Sequence, residues 1–159
     1  MKKVFFSFAA TVFLLLNVET ASACICFLEG KPALQTIRKQ YNDDLNKADF
    51  VFSGEVIKSD TFTVVFRIEK VWEGETVEEI TMATKTKAKG NGLLTFSSCD
   101  YNFNKGEKYL VYAAGSGGNM QSYKCAGTGQ LKNSDDRIKF LQEIKLQKEK
   151  VVRSTKKKN

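Results

Sequence analysis

Apolar residues recur at two different periods along this chain. Leu34, Ile37, Tyr41 and Leu45 fall three and four residues apart, which sets them on one stripe of a helix, and Pro32 suits a first helical position. From Asp49 the period drops to two. Phe50, Phe52 and Val56 alternate with Val51, Ser53 and Glu55, predicting a strand with Gly54 at a bend or bulge. Ser59-Asp60 then supplies a turn, and Phe62, Val64, Phe66 and Ile68 line one face of the clearest strand, closed by Glu73-Gly74-Glu75. A third strand is expected over residues 77–84, with Ile80 and Met82 on a shared face. Lys89-Gly90-Asn91-Gly92 reads as a loop, and residues 109–114 as a strand apolar on both faces.

Residues 115–119 mark another turn, and residues 121–124 form a short strand candidate leading into Cys125. The pattern then becomes helical again. Asn133 or Ser134 can cap a helix with Asp135 and Asp136 in its first turn and Ile138, Phe140, Leu141 and Ile144 as its apolar stripe. Short strands with Gly-rich turns, bracketed by two helices, predict a mainly β domain built on a small antiparallel barrel. No repeat or linker divides it. Phe50, Phe52, Phe62 and Phe66 alternate with polar residues, so they read as core rather than as a stacking platform.

The first 23 residues have a separate character. Lys2 and Lys3 precede an apolar run over residues 4–16, and Ala21-Ser22-Ala23 follows, the three regions of a secretory signal peptide. Cleavage after Ala23 predicts a secreted chain that begins at Cys24, with one domain over residues 24–150, a basic flexible tail over residues 151–159 and no transmembrane segment after processing. A cysteine at that point also suits a lipoprotein anchored through Cys24. Ala21, standing where lipoprotein signals carry Leu, Val or Ile, favours simple secretion.

Four cysteines, Cys24, Cys26, Cys99 and Cys125, fall beyond that cleavage point, an even number that favours two disulfides in an exported chain. A bridge between Cys24 and Cys26 would close a small strained ring, so each is expected to join Cys99 or Cys125, in either combination. Structural stapling alone accounts for such a pattern. A four-thiolate zinc site does not suit the spacing, because the paired C-x-x-C knuckles are missing.

Composition narrows the chemistry further. Histidine is absent, which excludes Ser-His-Asp, Cys-His and His-ligated zinc chemistry within this chain, and bridged cysteines leave no activated nucleophile to support an enzyme. No metal or cofactor of its own is expected. Charge is unevenly spread: residues 134–159 hold nine basic and four acidic side chains, whereas residues 24–133 are nearly balanced. A nucleic-acid partner is not expected, since its basic residues should line a groove among exposed aromatics. Lys85, Lys87 and Lys89 read as a solvated loop, and the tail as capable of weak contact with an anionic cell surface.

One ordered set of motifs is more specific than any single element. Cys24-Ile25-Cys26 comes first, then Asp49-Phe50-Val51-Phe52-Ser53-Gly54-Glu55-Val56, then a strand from Phe66 into Val71-Trp72-Glu73-Gly74. Ser97-Ser98-Cys99, Gly106 with Tyr109-Leu110-Val111-Tyr112-Ala113, and Cys125-Ala126-Gly127-Thr128 complete it. Together these resemble the N-terminal netrin-like domain of the tissue inhibitors of metalloproteinases and its bacterial relatives. The likeness runs from Cys24 to about Leu141. It implies a five-stranded antiparallel OB-fold barrel with flanking helices, and bridges Cys24–Cys99 and Cys26–Cys125. A third cysteine pair and a C-terminal domain of the animal proteins are missing, and Ile25, Glu73 and Asp100 differ from common family residues.

The same resemblance implies inhibition of a zinc metalloproteinase by Cys24, whose free amine and carbonyl would take two positions on the enzyme's metal. Ile25 would enter the pocket beside the zinc, Cys26, Phe27 and Leu28 would continue along the cleft, and Ser97, Ser98 and Asp100 would form a second contact ridge. The competing expectation is an extracellular disulfide-stapled module that binds protein or glycan without inhibiting.

Overall fold

The structure, a computed structural model, describes residues 32–87, 94–95 and 99–156. Helix α1 spans Leu34–Lys47, capped by Ala33, whose carbonyl accepts from the Thr36 and Ile37 amides at 2.9 and 3.2 Å. Strands follow at β1 (Phe50–Ser59), β2 (Thr63–Glu73) and β3 (Glu79–Ala83), then a small two-stranded ribbon of β4 (Thr86–Lys87) and β5 (Leu94–Thr95). Strands β6 (Lys108–Ala113) and β7 (Gly129–Gln130) and helix α2 (Asp135–Lys156) complete the order. The main sheet is five-stranded and antiparallel, in the order β3-β2-β1-β6-β7.

Both faces of the central strands are covered, and this divides the core in two. Phe50, Phe52 and Val56 of β1 join Val64 and Phe66 of β2, Met82, Phe103, Tyr109, Val111 and Ala113 on one face. On the other, Val51, Leu110 and Tyr112 pack with Phe140 and Leu141 of α2 and with Tyr41 and Leu45 of α1. Val51 and Ser53 are therefore buried, although strict alternation assigned them to a polar face. The rings of Phe52, Phe66, Phe103 and Tyr109 meet edge to face at centroid separations of 5.0 to 6.4 Å, a favoured quadrupole geometry.

The closed barrel expected from the strand pattern is not formed. β3 and β7 remain edges, and among the described residues no ladder joins them. A stitch replaces it: the Met120 carbonyl accepts from Ala83 of β3 at 2.9 Å, and Gln121 exchanges two backbone bonds of 2.9 Å with Ala114 beyond β6. Two-residue β7 is too short to reach β3. Bending is supplied along β1, where the register against β2 shifts at three places, including Ser53/Gly54. A side chain at position 54 would sit 2.5 Å from the Arg67 carbonyl oxygen, so this close crossing of strands requires glycine.

Other expectations shift in instructive ways. Phe62 is 48% exposed and precedes β2, because Asp60 accepts from the amides of Phe62 and Thr63 at 2.8 and 2.7 Å and holds that stretch as a turn. Leu34 also stands exposed, since the α1 side chains packed on the sheet are Tyr41 and Leu45. Residues 121–124 make isolated bridges at Gln121 and Tyr123 instead of a strand. The expected frayed tail is helical through Lys156. At the start of α2 the Ser134 carbonyl accepts from Ile138, while its hydroxyl donates back to Gln130 at 2.9 Å. The loop Lys89-Gly90-Asn91-Gly92 and the leader over residues 1–23 lie outside the described residues. Among the described residues no helix is long and apolar enough to cross a membrane.

Candidate functional site

Two cysteine-bearing segments, distant in sequence, run side by side next to the sheet. Asp100 and Tyr123 form an antiparallel bridge, and the Lys124 amide donates to the Cys99 carbonyl at 2.9 Å. Neither Cys99 nor Cys125 is a free thiol; both carry their sulfur in a disulfide. The expected partners Cys24 and Cys26, together with Ile25, Phe27, Leu28, Ser97 and Ser98, lie outside the described residues.

Asp100 is the one predicted contact residue of the ridge that the structure describes, and it differs from the expectation. It is 5% exposed, with its carboxylate 3.8 Å from the Lys85 ammonium. A buried carboxylate beside a buried cation holds the segment in place and offers little surface to a partner. Lys85 itself is only 14% exposed at its side chain, so the solvated reading of that lysine is corrected. Its backbone carbonyl accepts from Gln121 Nε2 at 2.8 Å, and the Tyr123 hydroxyl donates to Gln121 Oε1 at 2.9 Å.

The turn that bears Cys125 is pinned from beneath. Thr128 Oγ1 accepts from the Tyr112 amide at 2.8 Å and shares a bond of 2.6 Å with the Ser122 hydroxyl, so a side chain stands in where a ladder would otherwise continue. Gly127 has φ +86°, and a Cβ there would lie 2.7 Å from Arg137 Nη1 and 3.2 Å from Asp44 Oδ2. Only glycine satisfies both the left-handed backbone and the close approach. Arg137 of α2 donates to Asp44 of α1 at 2.8 Å, with side chains 18% and 8% exposed, and its guanidinium lies 4.2 Å from the Tyr41 ring centroid. Both helices are thereby clamped across the turn.

Two hollows flank Cys125. One of about 340 Å³ lies between the end of α1 and the 121–126 segment, lined by Ala48, Tyr112, Tyr123 and Ala126 among others. The second, about 260 Å³, is more polar and is bordered by Gln40, Gly127 and Arg137. The Tyr112 hydroxyl is buried without a hydrogen-bond partner among the described residues, and burial raises its pKa above the ordinary tyrosine value against the opposing pull of Arg137. No cluster of three or more Cys, Asp or Glu side chains among the described residues is arranged to hold a metal ion.

Asp44, Gly127, Thr128 and Arg137 were not singled out as an assembly by the sequence patterns. A signal was present in α1, where Asp44 interrupts the apolar face formed by Tyr41 and Leu45. Nothing linear connects it with Arg137, ninety-three residues away. In comparisons with known proteins, no family model matches the chain and no curated protein matches it.

Proposed function

We propose that the exported chain inhibits zinc metalloproteinases by presenting Cys24 to the enzyme's metal. The observation that carries this reading is the pairing of the Cys99 and Cys125 segments through Asp100–Tyr123 and Lys124–Cys99. An extended C-x-C tripeptide separates its two cysteines by about 6.6 Å, a span suited to bridging two neighbouring segments at once. Bridges Cys24–Cys99 and Cys26–Cys125 then fix the terminus before it meets any partner and lower the ordering cost of binding. The five-stranded sheet is read as a partly open OB barrel, with the 120–123 stitch taking the place of a closing ladder.

Catalytic zinc keeps one coordination position open for water, and an α-amine with a neighbouring carbonyl oxygen can displace that water as a bidentate ligand. An unperturbed α-amine titrates at about pH 8, so the neutral ligand form of such a group is reached at modest cost around neutrality. Ile25 fills the apolar pocket beside the metal, and Cys26, Phe27, Leu28, Ser97 and Ser98 complete the contact surface. Asp100 acts by positioning, since its side chain is buried against Lys85.

The test is a single added alanine before Cys24 in correctly processed, oxidised protein. Inhibition across a panel of zinc proteinases is expected to fall at least about a hundredfold while the melting temperature stays constant, because one residue removes the chelating amine and leaves the fold untouched. Equal inhibition by both forms refutes chelation. Absence of inhibition by the parent protein across the panel refutes the function itself and favours a disulfide-stapled binding module.

A further inference from the structure

Helix α2 outruns the domain it packs on. Its core-facing stripe begins with Phe140 and Leu141, both under 5% exposed, and reaches Ile144, which still touches the second core. Val151 and Val152 continue the same face at spacings of seven and eight from Ile144, yet they are 61% and 53% exposed. Lys148, between them on that face, donates to Glu73 at the end of β2 at 2.6 Å, the last described ion pair tying the helix to the body. Beyond it the helix projects with an apolar strip that nothing among the described residues covers.

Charge on this projection is strongly one-sided. Residues 145–156 contain five basic side chains and one acidic side chain, Glu149. Among the described residues Lys145, Lys150 and Arg153 form no ion pair, whereas Arg137, Lys139 and Lys148 each face a carboxylate. Such a surface repels a second copy of itself and lacks aromatic rings for stacking on bases. An apolar strip flanked by unpaired cations matches the boundary of an anionic bilayer, where valine side chains enter the headgroup region and lysine and arginine meet phosphates.

We propose that the C-terminal third of α2 docks the protein, parallel to the surface, on anionic phospholipid membranes. This is independent of metalloproteinase inhibition: the docking strip shares no residue with the segments that bear Cys99 and Cys125, and one activity can fail without the other. Docking concentrates the protein at a membrane face through several weak contacts, so it is reversible and sensitive to salt.

Sedimentation of processed protein with vesicles of 30% phosphatidylglycerol in phosphatidylcholine, against pure phosphatidylcholine, tests the proposal. Binding is expected to the anionic vesicles alone and to weaken at least about tenfold between low and high salt. The double variant Lys150→Glu/Arg153→Glu is expected to lose at least about tenfold in partitioning, and Val151→Ser/Val152→Ser about threefold or more at unchanged charge. Circular dichroism melting of each variant checks that the domain is intact. Equal binding to neutral vesicles, or charge reversal without effect, overturns the proposal. Insensitivity to the serine pair combined with competition by a soluble polyanion also overturns it, identifying a polyanion site, as does lipid-independent dimerisation lost on the serine substitutions.

Discussion

Replacing Arg137 with alanine tests the clamp beneath the cysteine edge. The guanidinium is 2.8 Å from Asp44 Oδ2, both side chains are less than one-fifth exposed, and the same group lies over the Tyr41 ring at 4.2 Å. Removing it leaves Asp44 buried without its charge partner, at about 3–5 kcal/mol, and the lost ring contact adds about 1 kcal/mol. For a domain of this size 1 kcal/mol corresponds to about 3–5 °C in melting temperature, so a fall of about 12–30 °C is expected in circular dichroism melts under oxidising conditions. The double variant Asp44→Leu/Arg137→Met fills the same space without stranding a charge, and is expected within about 1–2 kcal/mol of the parent. A drop of less than about 5 °C for Arg137→Ala, or a double variant as damaged as the single, refutes the argument that charge pairing holds α1, α2 and the Cys125 turn together.

Tyr112→Phe is expected to leave the melting temperature unchanged or raise it slightly, because the hydroxyl is desolvated without a partner; a loss above about 2 kcal/mol contradicts that accounting. Glu107 accepts from Tyr109, Gln130 and Asn104 at 2.6, 2.8 and 3.2 Å, and these bonds hold its carboxyl below the ordinary value of 4.5. The unfolded chain thus binds the proton more readily, so this stabilisation is present above about pH 4.5 and is lost as pH falls through the lower folded value. Urea midpoints measured from about pH 6 to about pH 3 are expected to decline less steeply for Glu107→Gln than for the parent.

Periodicity alone was enough to locate β1, β2, β6 and the two helices, since burial of one face or stripe leaves a direct mark on the residue order. It also marked Gly54, where a glycine interrupts a strand pattern and the strands do cross closely. It misplaced Phe62, because the carboxylate of Asp60 competes for the backbone amides that a strand would have used. The family resemblance, not periodicity, implied a contact ridge that includes Asp100, and the fold buries that side chain beside Lys85.

The order of residues by itself determined the kind of domain, its principal strands and helices, and an even set of four cysteines. Whether the sheet closed, which cysteine-bearing segments became neighbours, and that Asp44 met Arg137 across Gly127 were decided only in three dimensions. The reason is that alternation and helical spacing are local consequences of burial. Edge pairing and buried charge pairs depend on where distant segments arrive, which the length of β7 and the bulges of β1 govern jointly.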